Sequence, residues 1–255
     1  MRKITHRLAA LALLLGAAAG PAMAAGDAPA PIDKSWPHEG MFGTYDRAAL
    51  QRGFQVYQSV CQGCHGLDYI AFRNLEALGY DAEEVKAIAA QYTVVDGPDD
   101  QGEMFERPGR PSDRKPAPYP NDAAAAAANG GKAPPDLSLI TKARVSGEDY
   151  VYSLLVGYEE APAGFEVSEG GYYNKYFPGH VIAMPPPLYP EGVTYDDGTT
   201  ASVEQMAADV TQFLAWAAEP KLEARKQTGL KVMLFLIVAA GLLYAYKRRI
   251  WSRIH

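Results

Sequence analysis

Two cysteines and a histidine share one short stretch of chain: Cys61, Gln62, Gly63, Cys64 and His65. Thiols three residues apart with an imidazole directly after them form the c-type haem attachment pattern. Two thiols on one turn reach the two vinyl groups at a porphyrin edge, and the adjacent imidazole is placed beneath the iron. The same pair could instead close a disulfide, supply half a zinc site or act as a thiol redox motif. Cys61 and Cys64 are the only cysteines in the chain, so a zinc site would need His38 and His180 to complete it. A thioredoxin-like motif expects a βαβ context that the hydrophobic pattern does not offer. Haem attachment is therefore the chemistry these residues support.

The second axial position of such an iron separates an electron carrier from a haem that binds gas or substrate. Met41, Met104, Met184, Met206, His38 and His180 are the available side chains. Met206 falls on an apolar helical stripe and reads as core, while Met41 and His38 lie near the start of the mature chain. Met184 stands out because Pro185, Pro186 and Pro187 follow it and fix the backbone that carries its thioether. On spacing alone His180 and Met104 stay open beside it.

Helices must position these groups. Leu50, Phe54, Tyr57 and Cys61 form one stripe of an amphipathic helix starting at Asp46, which puts the first cysteine on the buried face. Asp81 with Glu84 signals the start of a second helix carrying Val85, Ile88 and Tyr92. Asp96 to Pro120 holds Pro98, Pro108, Pro111, Pro116, Pro118 and Pro120 without periodicity and reads as a long surface loop. Ala123 to Ala128 has helical propensity. Ser146 with Asp149 opens a further helix holding Tyr150, Leu154 and Tyr158. Gly164 to Tyr195 shows neither period and must be ordered by what it packs against. Ser202 with Gln205 forms a capping box ahead of Val203, Met206, Val210, Phe213, Leu214 and Ala217, and Pro220 ends that helix. No stretch argues for a sheet. The expected fold class is mainly α.

The two ends speak to location. Met1 to Ala24 has Arg2, Lys3 and Arg7, an apolar run from Leu8 to Ala19, and Ala22, Met23 and Ala24 at its close, the pattern of a cleaved secretory signal. Gly229 to Tyr246 is apolar apart from Lys231 and is followed by Lys247, Arg248, Arg249 and Arg253, a membrane span with its basic end in the cytoplasm. The expected division is a signal peptide over 1–24, an exported domain over 25–228, a transmembrane helix over 229–246 and a cytoplasmic tail over 247–255. The whole chain carries −6, but the exported portion sets 16 of the 24 Lys and Arg against all 30 Asp and Glu, a net −14. That charge excludes nucleic acid as a partner and suits attraction of a basic one.

Several stretches resemble the cytochrome c1 family: Cys61 to His65, Asp68 to Leu75 (DYIAFRNL), Gly102 to Pro108 (GEMFERP), Pro134 to Leu139 (PPDLSL), Gly147 to Tyr158 (GEDYVYSLLVGY), Gly171 to Leu188 (GYYNKYFPGHVIAMPPPL) and Phe213 to Pro220 (FLAWAAEP). The resemblance covers nearly the whole mature chain. It implies a cytochrome c-like haem domain with long loop insertions and one C-terminal membrane helix. It implies one haem c held covalently by Cys61 and Cys64, with His65 and Met184 as axial ligands. It also implies that Asn129, Pro135, Arg144 and Tyr150 contact the haem or its propionates, a guanidinium fork suiting a propionate well. The activity it implies is one-electron transfer from a Rieske iron-sulfur protein to a soluble basic cytochrome c, within a dimeric complex that contains cytochrome b. The protein would sit in a bacterial inner membrane with its haem domain in the periplasm. A free-standing membrane-anchored cytochrome c serving a terminal oxidase is the alternative, and a haem enzyme or gas sensor a more distant one. Some family members carry an extra cysteine pair in the exported domain; this chain has none, so packing alone must hold that region. The short, simple signal suggests a bacterium.

Overall fold

The computed structural model describes residues 28–254, so the expected signal peptide lies outside the described residues. Six α-helices dominate among the described residues. Helix α1 (Arg47–Ser59) starts at Asp46, whose carboxylate accepts from the backbone N–H of Ala48 and Ala49. Its apolar stripe of Leu50, Phe54 and Tyr57 is buried. Helix α2 (Ala82–Ala90) has the expected reciprocal capping box between Asp81 and Glu84. Helix α3 (Asp122–Ala128) is capped by Asn121. Helix α4 (Gly147–Val156) begins after Ser146, which sits in the left-handed region at φ 65 and caps with no side-chain bond. Helix α5 (Val203–Ala218) keeps half of the expected box. Ser202 Oγ accepts from Gln205 N–H, but the Gln205 amide turns instead to the Asp209 carboxylate. Helix α6 (Leu222–Trp251) follows at once, and its apolar window has mean hydropathy 2.0 with none of it buried.

The core is the face between α1 and α5, where Leu50, Phe54, Tyr57, Met206, Val210, Phe213 and Trp216 are buried together. The two helices approach closely at Gly53, where a Cβ would come within 2.1 Å of the Asp209 carbonyl oxygen. The same crossing carries charge. Arg52 of α1 donates through Nε and Nη2 to the fully buried Asp209 of α5 and through Nη1 to Asp197.

Two small hairpins depart from the expectation of no sheet. Strands β1 (Thr93–Asp96) and β2 (Phe105–Pro108) pair antiparallel, with Thr93 opposite Pro108. Strands β3 (Tyr172–Tyr173) and β4 (Val181–Ile182) pair within the Gly- and Tyr-rich segment. At four and two residues these strands are too short to impose a readable alternation. The loop after β2 is tied down rather than free. Arg107 binds Asp96 and Asp113, and the backbone carbonyls of Pro111 and Asp113 accept from Arg73 and Phe72. The architecture is a mainly helical domain with long loops and one long apolar C-terminal helix.

Candidate functional site

Helix α1 stops at Ser59, and Cys61–Gly63 forms a 3-10 turn directly after it. The stripe therefore ends before Cys61, which is partly buried, while Cys64 is exposed. Burial pushes the Cys61 thiol up to about 12, with Cys64 nearby adding to the effect. A thiol redox motif works through a thiol shifted the other way, so this environment disfavours that reading.

The histidine is held by a strap from far along the chain. His65 Nδ1 lies 2.7 Å from the carbonyl oxygen of Pro135. A carbonyl can only accept, so Nδ1 carries the proton and Nε2 keeps its lone pair. Burial also lowers the imidazole below its ordinary value, favouring the neutral ring. The strap continues in register. Leu137 N–H donates to Gly66 O at 3.0 Å, Asp68 N–H to the Asp136 carboxylate at 2.9 Å, and Tyr69 N–H to Ser138 Oγ at 3.1 Å. Gly66 is needed there, since a Cβ would lie 2.9 Å from the Asp136 carboxylate. From the other side Tyr57 O–H donates to His65 O, and Tyr92 O–H donates to Gln62 Oε1. Tyr119 O–H approaches Cys64 Sγ at 4.0 Å.

Met184 sits just beyond β4, partly buried, with its carbonyl accepting from Tyr158 O–H at 3.0 Å. Tyr158 has left α4 and bridges to Asn174, whose buried amide donates to Leu154 O. The segment expected to depend on its packing partner thus hangs from the C-terminal end of α4. Tyr150 stands on that same helix beside Arg144; burial raises its phenol and the Arg144 guanidinium works against the rise. Arg144 is exposed and donates to Ala143 O. Asn129 caps α3, its amide donating to Ala125 O at 2.7 Å.

The residues singled out from the sequence therefore fall into local groups: the Cys61–His65 turn with Pro135, Arg144 with Tyr150, and Met184 fastened to the end of the helix that carries Tyr150. Met206 is fully buried core, as its stripe required. Sequence reasoning missed Asp136, Tyr158 and Tyr92 as the groups that hold these elements. The quoted stretch PPDLSL contains Asp136, but its partner lies 68 residues away.

A covalent haem suits this donor set. The thiols share one turn, the imidazole presents Nε2, and large aliphatic side chains stand exposed at Leu139 and Val145, in the strap and beside Arg144.

A model of the Cytochrome C1 family matches residues 36–254. A Bradyrhizobium diazoefficiens protein named cytochrome b/c1 is 53% identical over 247 residues, covering 88% of this chain. This chain spans only 36% of that longer protein. Cytochrome c1 of Rhodospirillum rubrum is 52% identical over 234 residues, 86% of each chain. A mitochondrial cytochrome c1 haem protein of Arabidopsis thaliana is 55% identical over 218 residues, 85% of this chain and 71% of its own. A strap-held CxxCH turn, a tethered Met-Pro segment and an apolar C-terminal helix are thus found in a chain that belongs to the cytochrome c1 family.

Proposed function

We propose that this chain is the haem-bearing electron-transfer subunit of a quinol:cytochrome c oxidoreductase, the cytochrome bc1 complex. It would accept single electrons from a Rieske iron-sulfur protein and pass them to a soluble c-type cytochrome. Cytochrome b is the natural membrane partner, a role supported by the Bradyrhizobium relative whose name joins b and c1 in one longer chain. The observation that carries the reading is the 2.7 Å contact between His65 Nδ1 and Pro135 O, because it fixes the tautomer and leaves Nε2 to face a metal.

Cys61 and Cys64 would hold haem c through two thioethers, and the bound haem supplies a one-electron couple. His65 and Met184 would hold the iron of that haem through Nε2 and the thioether sulfur. Two protein ligands would make such a site resistant to exchange, and a methionine beside a histidine in the ligand set would raise the potential. Asn129, Pro135, Arg144 and Tyr150 would contact the haem or its propionates, and the exposed Arg144 guanidinium would suit a propionate. Pro185, Pro186 and Pro187 stiffen the methionine segment, and Tyr158 anchors it.

The domain over residues 25–228 is exported after removal of 1–24. Residues 229–246 cross a bacterial inner membrane, and 247–255 remain in the cytoplasm. The basic cluster after the span supports this orientation.

Met184→Leu tests the ligand assignment in the purified holoprotein. Haem should remain attached while the near-infrared methionine-to-iron charge-transfer band disappears and the reduced iron binds carbon monoxide rapidly. Persistence of that band would overturn the assignment. Co-purification with a cytochrome b and a Rieske protein separates a complex subunit from a free-standing carrier.

A further inference from the structure

The segment between Trp36 and Tyr45 takes no part in the haem chemistry, yet it is fastened to the first turns of α6. Glu223 accepts from Tyr45 N–H at 2.8 Å and from Arg47 Nη2 at 2.7 Å. One turn further along, Lys226 Nζ donates to His38 O at 2.5 Å and to Gly43 O at 3.1 Å. The ammonium therefore closes the base of a loop whose tip is Glu39 to Phe42. Thr44 N–H donates to Pro37 O at 3.1 Å across the same base, and Gly40 takes φ +66 to make the turn. Gly43 completes it, since a Cβ there would lie 1.9 Å from Glu39 O. The loop is closed at its base by these bonds.

Its tip is apolar and uncovered. Met41 is 67% exposed and Phe42 is 77% exposed, two large side chains side by side in water if the domain stood alone. The direction of the chain explains them. Going back from Tyr45 to Gly43, the contacts step down α6 from Glu223 to Lys226, about 4.5 Å at the helical rise. Three residues beyond Lys226 the apolar stretch begins at Gly229, about 4.5 Å further. The base of the loop is thus fastened to α6 about 4.5 Å short of its apolar stretch.

We propose that Met41 and Phe42 form a second membrane contact, inserted at the headgroup and acyl boundary beside α6, so that the domain rests on the lipid surface through this tip. A closed turn presenting a methionine and a phenylalanine suits this boundary: its backbone needs no reordering on insertion, and apolar area leaves water. The occupant is lipid because the contacts of this segment step along α6 from Glu223 to Lys226, towards the unburied apolar stretch that begins three residues later.

The inference rests on α6 spanning the membrane, and the experiment separates the two. Phe42→Cys and Leu236→Cys in the full-length holoprotein are each labelled with a nitroxide and reconstituted into vesicles of phosphatidylcholine and phosphatidylglycerol. Collision rates with oxygen and with a neutral nickel chelate are then read by power-saturation electron paramagnetic resonance. At position 42 oxygen should exceed the nickel chelate, as it should at 236 in mid-span. Chelate-dominated relaxation at 42, with 236 behaving as lipid-buried, would overturn the tip contact and leave the span intact. Protection at 42 from both colliders would also overturn it, in favour of a protein partner covering the tip. Chelate access at both positions would remove the membrane span and this proposal with it.

Discussion

The His65 imidazole is oriented by the carbonyl oxygen of Pro135, 70 residues further along the chain and 2.7 Å from Nδ1. That acceptor is a backbone atom, so its position depends on how the strap is held, and Asp136 holds it. The Asp136 carboxylate accepts from Asp68 N–H and from Ser138 N–H at 2.8 Å. Asp136→Ala should destabilise the fold by about 1–3 kcal/mol, the usual range for bonds to a charged acceptor. It should also spread the imidazole orientations, seen as broadened g-values of the low-spin ferric haem. Asp136→Asn, which keeps one acceptor oxygen, should lie between the two.

Tyr158→Phe removes the hydroxyl that donates to Met184 O. The ring stays to fill its space, so the cost to folding should be about 1 kcal/mol. The methionine segment loses its anchor to α4, and the charge-transfer band of the methionine ligand should weaken with carbon monoxide binding becoming detectable. A band of full intensity would show that the three prolines suffice.

Asp209 is completely buried and accepts from Arg52 Nε at 2.9 Å, Arg52 Nη2 at 3.1 Å and Gln205 Nε2 at 2.9 Å. Asp209→Ala takes two bonds from a largely buried guanidinium and leaves it only the more exposed Asp197, a loss of about 3 kcal/mol. Arg52→Met in the same chain should restore part of that loss, because no uncompensated charge remains. Urea unfolding of the holoprotein followed by far-ultraviolet circular dichroism checks both.

Asp197 is held at about 2 rather than its ordinary 3.8, first by the Thr199 backbone N–H and then by Arg52. A depressed carboxyl contributes stability that is fully present above pH 3.8 and disappears as the pH falls from 3.8 towards 2. Asp197→Asn should therefore differ from the parent above that window and converge with it below. Unfolding midpoints measured across the acid range test the sign.

The net −14 of residues 25–228, set by 16 cations against 30 carboxylates, predicts that reduction of a basic cytochrome c slows steeply with added salt. Stopped-flow rates at increasing ionic strength check this, and a flat dependence would remove charge from the account of docking.

What could be read from the sequence was local. The Leu50, Phe54 and Tyr57 stripe, the Asp81–Glu84 box and the Met206, Val210 and Phe213 face all arise from residues three or four apart. The Cys61–His65 spacing and the prolines after Met184 are local too. The reading failed where partners are distant or elements are minimal. The stripe overran Ser59 because Cys61 continues its spacing in a tighter turn. Gln205 looked like the second half of a box, but its amide donates to Asp209 one turn on and Ser202 N–H donates to Thr200 O instead. The hairpin of Thr93–Asp96 with Phe105–Pro108 is pinned by Arg107 between two aspartates, which no alternation reports. Tyr158 looked like the last rung of α4, whereas its bridge to Asn174 takes it out of the helix.

Glu223 and Lys226 leave no hinge between the domain and α6. Whatever angle the helix adopts in the bilayer, the domain must adopt with it. The apolar stretch from Gly229 to Tyr246 is about 27 Å long against a hydrocarbon thickness of about 30 Å, so the helix has little surplus length to absorb by leaning. Bilayer thickness, a property of the lipid rather than of the protein, thus sets how upright the domain stands.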